Sequence, residues 1–362
     1  MNNHTVELNA GGQAHRRDIL LSPAIQIERH WPLNLDQADI YDFEYEQSFR
    51  TYDTFLRHYG CAWISPDSII YKNGILADET LAHRSYRGYY RFRHLVKKLV
   101  FSKKIRLPKG KQYLMVTDSW SETHFHWLTD VLPKLLLLGE SLKQYTLLLP
   151  ATPYLRTVGL DSLRLADLTF EEVVLMQPDH FYYAPELSFV TKLSKSGSMH
   201  DPMMKELQSR YTKNAGDAMR KIYISRRKAR IRYVLNDDEV IACLRDYGFE
   251  TPFAEDLDLE AQIELFNSAN MILGIHGAGL TNALFMKPGG AVVELRKREG
   301  PGGNVCYWHL ADSVNQRYYY LNGESDRDHG LSGTGCNLTI SIPELERRVL
   351  KPLLSDNPPE RY

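Results

Sequence analysis

The segment His276-Gly277-Ala278-Gly279-Leu280-Thr281-Asn282 combines residue types that could bind an anion. It follows the apolar run MILGI and precedes an apolar stretch, so it is predicted to join a strand to a helix. Glycines permit a tight turn and close backbone approach, and the first N–H groups of a helix lack partners within the helix. The spacing GxGxxL lacks the third glycine of the dinucleotide fingerprint, which disfavours NAD. A nucleoside diphosphate is the expected ligand, because a purely structural turn would not call for His276.

A second charged group follows another predicted strand, KIYIS, and precedes a predicted helix start at Asn236-Asp237-Asp238. Its basic residues are Arg226, Arg227, Lys228, Arg230 and Arg232. A guanidinium binds phosphate oxygens through paired N–H donors, so one or two of these arginines could neutralise a leaving diphosphate. A solvated basic loop is the competing interpretation. The position at a strand–helix junction of the same predicted sheet favours a binding site.

His126 and Asp130 lie four residues apart in SWSETHFHWLTDVLPKL, so on a helix they share one face. A carboxylate beside an imidazole orients the ring and keeps it basic, which suits a general base. His124 adds a third potential metal ligand, and a surface ion pair is an equally simple alternative. The residues alone leave these three interpretations open.

Strand-like and helix-like runs alternate regularly after about residue 110. Strands are predicted at 113–118, 145–150, 173–177, 181–190, 221–225, 271–275 and 291–295. Such alternation is typical of parallel sheets. Two series divided near residues 200–220 predict an α/β fold with two Rossmann-like domains facing a cleft. The predicted ranges are 1–205 and 206–340, with a C-terminal helix and tail at 341–362 that pack back on the first domain.

Composition is typical of a globular protein, with 25% charged and 43% hydrophobic residues and a net charge of −1. No apolar run is long enough to span a bilayer, and the first residues lack the apolar stretch of a secretory signal, so a cytoplasmic location is expected. The four cysteines are far apart in sequence, which makes a cysteine metal site unlikely.

Residues 83–111 hold eleven Lys or Arg, no Asp or Glu, and several aromatic residues. Apolar positions recur at helical spacing from Phe92 to Val100. We expect the stripe itself to pack on the core while the lysines are solvated. The absence of acidic residues favours an anionic partner, either a membrane surface or a lipid-linked phosphate. No nucleic-acid motif accompanies the charge, so nucleic acid is not expected to bind.

Taken together, the three motifs resemble glycosyltransferase family 61, whose bacterial members are often described as capsular polysaccharide biosynthesis proteins. The matching stretches are His126-Trp127-Leu128-Thr129-Asp130-Val131-Leu132-Pro133, then Ile224-Ser225-Arg226 with Arg230, then His276 to Asn282 followed by Phe285, Pro288-Gly289 and Glu294. The resemblance spans about residues 110–300. The helix start Asn236-Asp237-Asp238-Glu239 departs from the Asn-Glu of many relatives.

The resemblance implies a GT-B architecture, inverting transfer from a nucleotide-activated sugar, and no metal or other cofactor. Its nucleotide-binding residues would be His276, Gly277, Ala278, Gly279, Leu280, Thr281 and Asn282. Arg226 and Arg230 would offset the leaving-group charge, and Glu294 would hold the ribose hydroxyls. His126 or Asp130 would deprotonate the acceptor hydroxyl of a glycan or a lipid-linked acceptor. Eukaryotic relatives carry a membrane anchor, whereas none is expected from this sequence. We therefore expect a bacterial, cytoplasmic enzyme that could lie at the inner membrane face.

Two other classes compete with a transferase. A non-catalytic polysaccharide-assembly protein could retain a vestigial nucleotide site. An esterase-like hydrolase is suggested by the likeness of the glycine turn to an oxyanion loop, but the sequence has no GxSxG nucleophile motif.

Overall fold

Two large β-sheets follow one another along the chain, and helices pack against both. The described residues also form two smaller sheets of two strands each. This computed structural model describes residues 18–213, 216–298, 303–326 and 336–355. The strands are β1 Ile19–Ser22, β2 Gln26–Glu28, β3 Ser48–Arg50, β4 Thr54–Ser65, β5 Ile69–Lys72, β6 Ile75–Leu76, β7 Lys103–Arg106, β8 Gln112–Met115, β9 Tyr145–Pro150, β10 Glu172–Met176, β11 His180–Val190, β12 Arg220–Ile224, β13 Phe249–Glu250, β14 Ala269–Ile275, β15 Ala291–Arg296, β16 Arg317–Asn322, β17 Glu324–Ser325 and β18 Leu338–Thr339.

Helices occupy most of the connections between these strands. The α-helices are α1 Ile40–Phe43, α2 Arg87–Tyr90, α3 Phe92–Phe101, α4 His124–His126, α5 Leu132–Leu136, α6 Leu160–Leu165, α7 Asp201–Thr212, α8 Asp237–Asp246, α9 Leu259–Asn267, α10 Cys306–Ser313, α11 Ile342–Leu345 and α12 Lys351–Leu353. The 3₁₀ helices are Gln37–Asp39, Glu44–Glu46, Asp78–Thr80, Arg84–Tyr86, Gly139–Gln144, Ala254–Asp256 and Ala278–Phe285. The π-helical turns are Trp127–Val131, Leu155–Gly159 and Glu346–Leu350. None of the helices in these ranges is both long and apolar enough to span a bilayer.

The first sheet has nine strands and mixes parallel and antiparallel pairing. Its order is β10-β9-β8-β11-β4-β5-β6, with β1 beside β4 and β7 beside β11. β8 is parallel to β9 and β11, whereas β4 is antiparallel to β1, β5 and β11. The prediction of a Rossmann-like first half is therefore wrong for this antiparallel part, whose strand signals before residue 110 are short. Asn73-Gly74, both at positive φ between β5 and β6, was the clearest missed hairpin cue.

The second sheet is fully parallel, and its order is β13-β12-β14-β15-β16. Numbered from its own first strand, the order is 2-1-3-4-5, one of the two common doubly wound arrangements. The second half thus confirms the predicted Rossmann-like α/β series. In such sheets ligands bind beyond the carboxyl ends of the two strands where the winding reverses, which here are β12 and β14.

One apolar cluster contains buried residues of both sheets. Leu128 and Val131, between α4 and α5, belong to the same buried cluster as Ile224, Leu280 and Trp308 of the second half. The helix around them is thus packed between the two sheets, which fixes its side chains relative to the second sheet. The predicted domain limits at 205 and 340 remain predictions.

The C-terminal helical segment packs mainly on the second sheet. Its apolar residues Leu345, Val349 and Leu350 join the core of that sheet, together with Val240 of α8 and Tyr319 of β16. Contacts also reach the first half: Asn34 donates from Nδ2 to the Arg348 carbonyl at 3.2 Å, and the Arg348 guanidinium lies 3.4 Å from Asp36. The prediction that this helix packs back on the first domain stays a prediction. Residues 356–362 of the predicted tail lie outside the described residues.

Candidate active site

The carboxyl ends of β12 and β14 bring two sequence motifs together. Ile224 pairs with Gly274 in parallel register, so Arg226 and Gly277 both follow immediately beyond the sheet edge. A Cβ atom on Gly277 would lie 3.0 Å from Nη1 of Arg226 and 3.3 Å from its Cζ. The glycine therefore leaves the space that the guanidinium occupies, at the position where this sheet order places ligands.

Gly279 has a packing role in the same turn. A Cβ atom there would lie 2.8 Å from Cγ2 of Ile224 at the end of β12. Leu280, Thr281 and Asn282 are buried, whereas His276, Ala278 and Gly279 keep partial exposure. The turn continues into the 3₁₀ helix Ala278–Phe285 rather than the expected α-helix. The first four residues of the predicted motif thus face the sheet edge, and the last three hold the turn in the core.

His276 is paired with a fully buried carboxylate. Its Nδ1 forms a short hydrogen bond with Oε1 of Glu294, and the Tyr318 hydroxyl donates to Oε2 of the same carboxylate. Burial alone would raise the pKa of Glu294, but His276, Arg296 and Tyr318 lower it below the usual value. Because Glu294 is 0% exposed and both its oxygens are engaged, it supports His276 instead of facing a ribose. Glu294 thereby fixes the orientation of the His276 ring at the sheet edge.

The arginines that approach this edge differ from those expected. Arg226 donates from Nε to the Arg232 carbonyl at 2.9 Å, and burial and the charge of Arg232 lower the Arg226 pKa. Neither Arg226 nor Arg232 forms an ion pair with a described carboxylate, and the buried Nε of Arg232 lacks a hydrogen-bond partner within that part of the chain. Arg227 instead pairs with Asp237 and Asp238. Burial and the charge of Arg232 disfavour the charged Arg226 guanidinium more than Glu255 favours it, so a bound anion would be stabilised here.

Arg230 is exposed in the loop between these arginines. Arg232 is thus connected to Arg226 through its carbonyl, whereas the role of the exposed Arg230 stays a prediction. The sequence contained Arg232 in the basic run, but spacing alone gave no means of ranking it above Arg230.

His126 and Asp130 form the predicted pair on the helix between the sheets. Nδ1 of His126 lies 2.8 Å from Oδ2 of Asp130, and the Ser196 hydroxyl donates to that oxygen at 2.7 Å and lies 3.0 Å from Nδ1. The His126 and Asp130 side chains are 25% and 23% exposed. Nδ1 is thereby assigned as the protonated nitrogen, which leaves Nε2 able to accept a proton.

Pro133 shapes this helix locally. Proline has no N–H to donate to the Thr129 carbonyl, four residues back. The preceding residue, Leu132, donates its N–H to the carbonyl of Trp127, five residues back. Thr129 donates its hydroxyl to the Phe125 carbonyl at 2.8 Å. The resulting π-helical turn contains Asp130, and such turns often occur at functional sites.

A narrow pocket adjoins this pair. Its lining residues are Asp118, Thr129, Asp130, Lys134, Lys192, Leu193, Ser194, Ser196 and His200. Lys134 is 3% exposed, and burial lowers its pKa to about 8 although Asp118 and Asp130 lie nearby. Its ammonium group also forms a short hydrogen bond to the Val116 carbonyl. Asp130 is therefore set beside a buried cation as well as beside His126.

Aromatic rings connect the two histidine–carboxylate pairs. Tyr307 contacts His276 with a ring-centroid distance of 4.9 Å and Phe125 at 5.5 Å, and Phe125 contacts His126 at 5.3 Å. Burial raises the pKa of Tyr307 far above its ordinary value, so the phenol stays neutral. The pairs are thus separated by two rings and belong to one local region, a connection that no sequence motif indicated.

The metal alternative for His124, His126 and Asp130 does not fit the observed directions. His124 lies 3.2 Å from Oδ1 of Asn282 and 3.1 Å from the Tyr154 hydroxyl, whereas His126 bonds Asp130. Burial lowers the pKa of His124. In the described ranges no three His, Cys, Asp or Glu side chains group as metal ligands. His124 instead links the helix to the glycine turn.

The hydrolase alternative also lacks its geometry, although Ser196 contacts the His126–Asp130 pair. In a Ser-His-Asp triad the serine bonds the imidazole nitrogen opposite the one that faces the aspartate. Here Ser196 contacts the same nitrogen, Nδ1, and the same carboxylate oxygen. Ser196 therefore orients the histidine and the aspartate and is not placed as the nucleophile of a triad. It lies seventy residues from His126, so spacing could not reveal it.

A parallel sheet with basic groups at its switch point, and a histidine–carboxylate pair nearby, is the arrangement of an enzyme that acts on an anionic ligand and a hydroxyl. Residues 124–293, a little under half of the chain, match the family Glycosyltransferase 61. This segment contains His126, Asp130, Arg226 and His276. The comparison therefore supports a glycosyltransferase.

Curated relatives agree on that class. The chain is 30% identical over 141 residues to an EGF domain-specific O-linked N-acetylglucosamine transferase of Drosophila melanogaster, covering 38% of this chain and 26% of the relative. It is 36% identical over 126 residues to a β-1,2-xylosyltransferase of Oryza sativa subsp. japonica, covering 30% and 21%. An α-1,3-arabinosyltransferase of the same plant is 33% identical over 72 residues, covering 19% and 12%. The chain thus aligns with about a quarter or less of each relative.

Proposed function

We propose that the protein is an inverting glycosyltransferase that moves a sugar from a nucleotide-activated donor to a hydroxyl of a glycan or lipid-linked acceptor. The observation that carries the proposal is the contact of Arg226 with Gly277 at the switch point of the second sheet. The exposed His126–Asp130 pair lies two aromatic rings away from His276. These features supply a diphosphate site and a base, the two requirements of such a transfer.

On the donor side, the bond between the anomeric carbon and the diphosphate oxygen breaks, and its electron pair stays on the diphosphate. Arg226, Arg232 and His276 are placed to offset the added negative charge. Fixed positive groups at the place where charge develops need no reorganisation during the reaction. This is also the basis for proposing metal-independent transfer, because two guanidinium groups already lie at this edge.

On the acceptor side, Nε2 of His126 takes the proton of the attacking hydroxyl while the oxygen bonds the anomeric carbon. Attack from the face opposite the leaving diphosphate inverts the configuration. Asp130 holds Nδ1–H and stabilises the imidazolium that forms, and Ser196 fixes both groups. The greater exposure of this pair gives the acceptor access to it.

The finer parts of the proposal follow from the motif resemblance. They are a GT-B arrangement of the two halves, a bacterial enzyme that works in the cytoplasm, and a product used in capsule or another surface polysaccharide. A non-catalytic assembly protein would retain the diphosphate site but would not need a base beside a pocket.

A product screen tests the function directly. Purified protein is incubated with uridine-, guanosine- and thymidine-diphosphate sugars and candidate glycan acceptors, and products are followed by mass spectrometry and by NMR of the new anomeric centre. We expect one donor to be consumed with inversion, and His126→Ala to abolish turnover. Consumption of no donor, or turnover that survives both His126→Ala and Asp130→Asn, would refute the proposed enzyme.

A further inference from the structure

Helix α3, Phe92–Phe101, turns most of its apolar side chains toward solvent. Only His94 and Leu95 are buried. The exposed apolar residues are Phe92 at 74%, Val96 at 39%, Leu99 at 41%, Val100 at 61% and Phe101 at 81%. At about 100° per residue, the first four of these lie on one side of the helix. The expectation that this stripe packs on the core is thus wrong, since Leu95 alone of the stripe does so.

Basic side chains border this apolar face. Arg93 and Lys97 are exposed beside it on the helix, and Lys103 and Lys104 are exposed on β7, which follows directly. Lys98 differs, because it turns toward Asp67 at 2.9 Å and is 13% exposed. We call Phe92, Val96, Leu99, Val100 and Phe101 with Arg93, Lys97, Lys103 and Lys104 the α3 surface.

The charge around the α3 surface is local. Residues 83–111 carry eleven basic and no acidic residues, while the whole chain has a net charge of −1. The remainder of the protein is therefore strongly acidic in balance and would be repelled by an anionic surface that attracts this segment. A molecule whose charge is divided in this way is attracted to an anionic surface and is also oriented on it.

We propose that the α3 surface docks the protein on an anionic lipid bilayer. Its apolar side chains enter the boundary between headgroups and acyl chains, and its lysines and arginines contact anionic headgroups. A lipid surface explains both properties together. Nucleic acid would use the basic residues but would leave five apolar side chains in water, and a second copy of the chain would bring like charges together.

A chain of aromatic residues leads from the buried side of α3 to the candidate base. Tyr90 contacts His94 of α3 at 4.9 Å, and Tyr86, one turn earlier, contacts Trp120 at 6.3 Å. Trp120 in turn contacts His126 at 5.2 Å. We extend the docking to a lipid-linked acceptor, because these residues connect the docked helix with His126. This consequence rests on the proposed function, whereas the docking itself does not.

Vesicle co-sedimentation of the full chain tests the docking. Vesicles of phosphatidylcholine are compared with vesicles that also contain phosphatidylglycerol, at low and high salt. The test variants are Phe92→Ser with Phe101→Ser, and Lys103→Glu with Lys104→Glu. Met219→Ser, at a residue 74% exposed elsewhere, and Lys205→Glu, at an exposed lysine of α7, are the matched controls.

We expect wild-type protein and both controls to bind the anionic vesicles only, with binding weakened by salt. Each test variant should lose about tenfold in affinity, because apolar area and charge both contribute to interfacial binding. Transfer to a water-soluble acceptor should be unchanged in these variants. Its absence from wild type, with vesicle binding intact, would count against the enzyme and not against the docking.

Three results would overturn the docking. One is wild-type protein that ignores anionic vesicles at low salt, and another is equal loss in the Met219→Ser control. The third combines two observations. The wild-type protein does not bind vesicles, and light scattering shows that the Phe92→Ser, Phe101→Ser variant differs from it in oligomeric state. That result would assign α3 to contact between copies of the chain.

Discussion

The two histidine–carboxylate pairs of the candidate site, His126–Asp130 and His276–Glu294, differ in burial. Glu294 is 0% exposed and His276 12%, and Tyr318 occupies the second carboxylate oxygen. Asp130 and His126 are 23% and 25% exposed, and their partner Ser196 lines the narrow pocket beside Asp130. A buried, fully bonded pair keeps a fixed charge, whereas an exposed pair can exchange protons with a substrate. The same two residue types can therefore serve charge stabilisation in one place and proton transfer in the other.

The largest expected effect concerns the exposed pair. His126→Ala and Asp130→Asn should each lower kcat by about 10²- to 10⁴-fold, the usual contribution of a general base. The free energy of unfolding should change less than in a variant of the buried pair, because this pair keeps partial contact with water. Steady-state kinetics and urea unfolding measure the two quantities. A kcat within twofold of wild type for both variants would remove the base assignment.

The buried pair should respond in the opposite way. Glu294→Gln should reduce the free energy of unfolding by about 3–5 kcal/mol, because it leaves His276 and Arg296 without the carboxylate beside them. The Glu294 pKa is lowered on folding, so its stabilising contribution is present above the unfolded value of about 4.5 and is lost as pH falls through the folded value. The difference in the free energy of unfolding between wild type and Glu294→Gln should therefore be smallest at the lowest pH. Equal stability at neutral pH would contradict the pair's structural role.

The arginines test whether the sheet edge is a diphosphate site. Arg232→Gln should raise the donor KM by about tenfold or more, since hydrogen bonds to charged groups contribute about 1.5–3 kcal/mol. Arg230→Gln, on the exposed neighbour, is the control and should change the donor KM less than twofold. The reverse ranking would restore the assignment that the sequence suggested.

Ser196 is expected to have the smallest effect. Ser196→Ala should lower kcat by a few fold, as expected for the loss of one hydrogen bond of about 1 kcal/mol. We expect Ser196→Thr to restore kcat, because the hydroxyl bonds Nδ1 of His126 and Asp130 directly. An unchanged kcat in Ser196→Ala would contradict this positioning role.

The sequence predicted the parallel part of the fold well, because strands such as Tyr145–Pro150 and Ala291–Arg296 are continuous apolar runs. It failed for β4 and its antiparallel neighbours, where alternation is irregular and half-buried positions dominate. Short-range chemistry was visible in the His126–Asp130 spacing and the glycine turn. The partners Ser196, Arg232 and Tyr307 were not, since tertiary packing alone brings them to these residues.

The helix α3 shows a further limit of sequence patterns. Its apolar period was recognised, but periodicity cannot state which surface the stripe meets. Only the burial of His94 and Leu95 on the other side shows that the core is reached from there. The basic residues of the same segment indicated better than the apolar period that this side of the helix is exposed.

The most direct test of the division between the two pairs is calorimetric titration with uridine, guanosine and adenosine diphosphates. One of these should bind wild type and His126→Ala with the same Kd, while His276→Ala should bind it about tenfold more weakly, the loss of one charged hydrogen bond. Such a result would separate the diphosphate site from the base. If none binds, or if His126→Ala loses as much affinity as His276→Ala, the account is contradicted.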